Sequence, residues 1–177
     1  MSNLRLINET TFTDVSSVNI EDVFSADFDI YKMTLDIGKS SGGVVSVEHR
    51  LINASGSVIN ASNYDFATLK LDSGGSFATN DRATNGDDIR GLGQVGTDVN
   101  THANSAVAYY FNPYKSTCYT FLTMQSSYFA DSSPDRNFGY KGIAVLKQAA
   151  SMSGINIFST SGNYTGTARI YGLRVDV

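Results

Sequence analysis

Apolar and polar residues alternate along this chain with period two, and a period of 3.6 is hard to find. Tyr31, Met33, Leu35 and Ile37 share one face of an extended segment, opposite Lys32, Thr34 and Asp36. Val45, Val47 and Leu51 alternate with Ser46, Glu48 and Arg50. Near the end, Tyr171, Leu173 and Val175 alternate with Arg169, Gly172 and Arg174. Each pattern predicts an antiparallel strand with one face on a core and the other in water. Further strands are expected over residues 4–7, 15–20, 64–71, 106–111, 118–125, 142–147 and 155–158, separated by Gly-, Asn- and Pro-containing breaks. About ten short strands of this kind predict an all-β fold, an antiparallel β-sandwich or a barrel.

Residues 72–105 break the rhythm. They are mostly Ser, Gly, Asn, Thr, Asp and Ala, with isolated Phe77, Ile89, Leu92, Val95 and Val99. A long polar loop region is expected there, interrupted by a short strand near 89–95. Loops of this length inside a compact domain are usually functional or mobile. A short echo, Leu51-Ile52-Asn53-Ala54-Ser55-Gly56 followed by Val58-Ile59-Asn60-Ala61-Ser62-Asn63, reads as a hairpin with similar arms, since two copies do not make a solenoid.

At 177 residues the chain is expected to be one domain over 1–177. A chain of this size buries about 70% of its unfolded surface and needs no metal or disulfide to hold a core. The net charge of −4 and the absence of a basic run argue against a nucleic-acid partner. The opening Met1-Ser2-Asn3-Leu4-Arg5 carries no apolar leader, and no apolar run approaches the ~20 residues of a membrane helix. The expectation is a protein made in a cytoplasm, without export and without a membrane partner. The Asn-x-Ser/Thr sequons at Asn8, Asn53, Asn60 and Asn163 then have no route to glycosylation. The single Cys118 is expected to be a small buried hydrophobe within the apolar segment 118–124.

Several motifs suggest chemistry that their surroundings do not support. Gly91-Leu92-Gly93-Gln94-Val95-Gly96 spells the dinucleotide-binding fingerprint, but it follows Asn85-Gly86-Asp87-Asp88 and precedes no amphipathic helix. Asn80, Asp81, Asn85, Asp87 and Asp88 lack the offsets of a calcium loop and read as a solvated turn. His49 lies on the Val45/Val47/Leu51 face, where a hydrogen-bonded histidine at the core edge is expected, and neither it nor His102 accompanies a nucleophile or metal motif. No catalytic residue, cofactor or metal is therefore expected. Ten Tyr and ten Phe without Trp suit a sheet core and its contacts. Tyr109, Phe111, Tyr114, Tyr128 and Phe129 are the candidate interface residues.

The segments Leu4-Arg5-Leu6-Ile7-Asn8-Glu9-Thr10, Val18-Asn19-Ile20, 22–31, Tyr110-Phe111-Asn112-Pro113-Tyr114 and 165–173 resemble those of small virion structural proteins of tailed bacteriophages, especially marine and cyanobacterial ones. The resemblance covers most of the chain except 72–105. It implies a jelly-roll sandwich, a homotrimer and no catalytic residues. It implies a place in the virion, as a capsid decoration, cement or head-fibre protein beside the major capsid protein. The alternative it implies is a tail-fibre adhesin that binds a host surface glycan or receptor.

Overall fold

The computed structural model describes residues 3–41, 43–74, 79–96, 104–129 and 136–174. Among them the chain forms twelve strands and no helix: β1 (Leu4–Val15), β2 (Ser17–Ile20), β3 (Ile30–Ser40), β4 (Val45–Asn53), β5 (Tyr64–Asp72), β6 (Thr79–Gly86), β7 (Gln94–Val95), β8 (Asn104–Phe111), β9 (Thr120–Phe129), β10 (Asn137–Leu146), β11 (Met152–Ser159) and β12 (Tyr164–Leu173). One sheet has eight strands in the order β1-β12-β3-β8-β9-β10-β5-β6, and the other has four in the order β2-β11-β4-β7. Every pairing is antiparallel. This is the expected β-sandwich. Its pairs β3:β12, β4:β11 and β5:β10 are nested in sequence and alternate between the two sheets, as in a ribbon of paired strands rolled around a core.

The core lies between the sheets. Met33, Leu35, Tyr110 and Leu122 from the larger sheet meet Val47, Leu51, Ile155 and Ile157 from the smaller one. Tyrosine fills several of the large positions, and the backbone serves the buried hydroxyls of Tyr31, Tyr64 and Tyr164. The Tyr110 hydroxyl donates to Met33 Sδ at 3.8 Å, and that of Tyr128 has no hydrogen-bond partner among the described residues. Tyr64 Oη accepts the Leu51 N–H at 3.0 Å and donates to the Ile59 carbonyl at 3.0 Å. Tyr31 Oη accepts from Ser25 N and donates to Ser25 O, and Tyr164 Oη donates to Ile157 O at 2.8 Å.

Four expectations change. First, the region 72–105 holds, besides the expected short strand (β7), the unexpected β6, and Ile89, Leu92 and Val95 are fully buried in the core. β6 has no alternating pattern and is a strand because β5 supplies its hydrogen-bonding partners. Second, in β12 the buried positions are Tyr164, Ala168, Ile170 and Gly172, while Tyr171 and Leu173 face outward. The register allows this because Gly172 lies under the Phe28 ring, where a Cβ would clash. Third, Cys118 precedes β9 in a turn and is half-buried, outside the core. Fourth, His49 is completely buried, and neither ring nitrogen has a hydrogen-bond partner among the described residues.

Candidate functional site

In a strand, successive side chains point to opposite faces, so the registers place every outward residue of the eight-stranded sheet in a grid. One row across that outer face runs Leu4, Leu173, Ile30, Phe111, Phe121 and Val145, and ends at Asp65. The next runs Leu6, Tyr171, Lys32, Tyr109, Thr123, Ile143 and Ala67. Val107 and Leu69 extend the apolar area into a third row that also holds Arg169, Gln125 and Lys141. The fourth row is polar, with Thr11, Thr167, Asp36, Ser105 and Ser127.

The outer face is thus divided into an apolar half and a polar half. In the polar half Arg169 bonds Glu9 and lies 3.2 Å from Asp36, which accepts a hydrogen bond from Ser105. In the apolar half Phe121 is 54% exposed and Ile143 62% exposed, and Leu4, Leu6 and Leu69 are exposed as well. Two shallow apolar grooves of about 500 and 510 Å3 flank Ile143, one toward Leu69, Val107 and Tyr109, the other toward Phe111 and Phe121. At the end of the first row the Lys147 ammonium, 2.7 Å from Asp65, holds that carboxyl below the usual carboxylate range.

The candidate interface residues do not all meet here. Tyr109 and Phe111 stand on the outer face, half-buried by their neighbours, and Phe129 ends β9 on the same side. Tyr114 is exposed in the turn after β8, beside a 200 Å3 recess formed with Phe28, Asp29 and Lys115. Tyr128 points inward and is 2% exposed, its ring stacked on Phe138 at 5.7 Å and on Tyr140 at 5.8 Å. Phe121 and Ile143, the most exposed apolar residues of the face, were not among the candidates, although both lie in the expected strands 118–125 and 142–147.

A second, polar recess of about 240 Å3 opens where β4, β6 and the segment before β7 converge, lined by Ser46, Glu48, Asp81, Arg90, Gln94 and Tyr140. Arg90 Nε lies 3.4 Å from Glu48 Oε1 and 3.4 Å from Asp88 Oδ1, and its Nη1 lies 3.3 Å from Asp81 Oδ2. Glu48 is 6% exposed, and burial together with the adjacent Asp88 carboxyl raises its pKa to about 8. The cluster joins three separate segments through one guanidinium.

The remaining motifs have structural uses. Gly91 and Gly93 have φ of 121° and 95°, and a Cβ would meet Met124 at the first and Asn104 at the second, so the fingerprint-like segment is a tightly packed connection within the sandwich. Asp87 pairs with Arg50, and Asn85 accepts a hydrogen bond from Lys147. His102 lies outside the described residues.

No family model and no curated protein matches this chain. Among solved structures, sucrose-6-phosphate hydrolase from Lactobacillus gasseri is similar at 16% identity over 96% of this chain, with a TM-score of 0.34. The chain spans 28% of that enzyme's length. The PL-14 alginate lyase from Aplysia kurodai is similar at 8% identity over 95% of this chain and 82% of its own, with a TM-score of 0.33. The VP2 subviral particle of infectious bursal disease virus is similar at 10% identity over 98% of this chain and 41% of its own, with a TM-score of 0.16. Likenesses this distant carry no argument about function.

Proposed function

We propose that this chain is a structural protein of the bacteriophage virion surface, a capsid decoration, cement or head-fibre component. In this reading it assembles as a homotrimer, acts by protein–protein contacts and performs no catalytic step. The observation that carries the reading is the apolar half of the outer face. A contiguous apolar patch beyond a few hundred Å2 is rare on a monomer and marks an interaction surface. The resemblance of the strand segments to tailed-phage virion proteins supplies the setting.

Quantitative mass spectrometry of purified particles tests this. Hundreds of copies per particle are expected for a decoration or cement protein. Absence from the particle overturns the reading.

The aromatic rings of Tyr109, Phe111, Phe121 and Tyr171 on the same face favour one second reading, an adhesin that stacks glycan rings on them. About a dozen copies per particle, with glycan binding lost in Phe121→Ser, would select it.

A further inference from the structure

We infer that the apolar half of the outer face of the eight-stranded sheet is where copies of this chain meet one another, with the polar half of the same face left in water. The inference rests on the assembly reading above and names both the surface and the partner, a second copy of this chain.

Area is the first argument. The strip crosses seven strands at about 4.8 Å spacing, so it is roughly 29 Å long, and it is roughly 15 Å wide where Val107 and Leu69 add a third row to the first two. Large apolar and aromatic residues present about 150–250 Å2 each when fully exposed. Phe121, Ile143, Leu4, Leu6 and Leu69, between 38% and 62% exposed, together offer on the order of 500 Å2 of apolar surface per copy. A specific interface needs about 500 Å2 or more from each partner. These five residues reach that threshold for one neighbour, and the half-buried Tyr109, Phe111, Tyr171 and Leu173 beside them extend the surface.

Shape and charge are the second argument. The two grooves beside Ile143 form a ridge-and-furrow surface that a side chain from another copy can enter. At its borders Asp65 is paired by Lys147, and Asp36 and Glu9 by Arg169, while Lys32 and Lys141 on the strip and Arg82 beside the second groove have no ion pair among the described residues. Lysine and arginine stems can lie along apolar surface with the charged head kept in water, so covering the strip does not require burying these charges. Three sheets facing a common axis bring each strip against those of both neighbours, and the closed rotation leaves no patch from which fibres could grow.

The test is light scattering on the full chain over a micromolar dilution series, for the native protein, Ile143→Arg and Ser127→Arg. Both positions are exposed on the same face, in the apolar and polar halves respectively. A native mass near three times 19.1 kDa is expected. Ile143→Arg should be monomeric at concentrations at least 100-fold above the native dissociation point, and Ser127→Arg should behave as native. Should Ile143→Arg misfold by circular dichroism, Leu69→Arg on a different strand of the strip serves in its place. A native oligomer that survives both strip substitutions overturns the inference and leaves the assembly reading standing. A native protein that is monomeric throughout removes both.

Discussion

His49 is the most informative position for a stability test. Its ring is enclosed in the core, edge-on to Tyr110 at 5.9 Å, and burial alone lowers its pKa to about 3. The folded chain therefore carries a neutral imidazole where the unfolded chain, with an ordinary pKa of about 6.5, begins to bind a proton. In the window between those values the unfolded state holds more protons, so stability is full above 6.5 and falls as the pH drops toward 3. At 1.36 kcal/mol per pH unit, acidification from neutrality to pH 4 costs about 3 kcal/mol through this residue alone. Glu48 acts in the opposite sense between 4.5 and about 8, so the native profile alone does not isolate the histidine. The comparison with His49→Leu does. Leucine has a similar volume and leaves no unpaired nitrogen, each of which costs about 1–3 kcal/mol, while the edge contact with Tyr110 is lost. Urea unfolding at pH 7 should place the variant between equal to and about 2 kcal/mol above the native chain, and at pH 4 about 3 kcal/mol further ahead. A variant that loses more than about 2 kcal/mol at pH 7, or keeps the native acid slope, would refute the reasoning and mean that the ring is partnered.

Tyr64→Phe removes a hydroxyl that serves the Leu51 N–H and the Ile59 carbonyl, and should cost about 2 kcal/mol in chemical denaturation. Glu48→Gln should remove the alkaline loss of stability. With a raised folded pKa, the native carboxyl contributes fully below 4.5 and loses that contribution as the pH rises through about 8, so the melting temperatures should diverge in favour of the variant at pH 9. Cys118 lies in a turn and is half-buried, so Cys118→Ser should change stability by less than about 0.5 kcal/mol, and the native thiol should react with a disulfide reagent without denaturant.

Half of the candidate surface was legible in the chain. Residues 106–111 run without a polar break, so some of them had to face away from a single core, and Tyr109 and Phe111 do. The Tyr128-Phe129 pair misled because neighbours on a strand point to opposite faces, and only Phe129 faces out. Phe121 and Ile143 lie in apolar runs beside Leu122 and Ala144, and nothing local says which neighbour faces out; they become part of a surface only when strands from across the chain are set side by side.

By itself the sequence determined the class of fold, because period-two alternation is a local consequence of strand geometry and survives without knowledge of partners. It also determined most strand positions and the glycines that separate them. Tertiary structure alone decided the rest. Thr79–Gly86 became a strand through backbone bonds to β5, which any polar sequence can make. Glu48, Asp81 and Asp88 met on Arg90 because the roll of the ribbon brought distant segments together. Where the sheets close over His49, its ring meets no hydrogen-bond partner among the described residues. Pattern records which way a side chain points, but only the closed sandwich decides what it meets there.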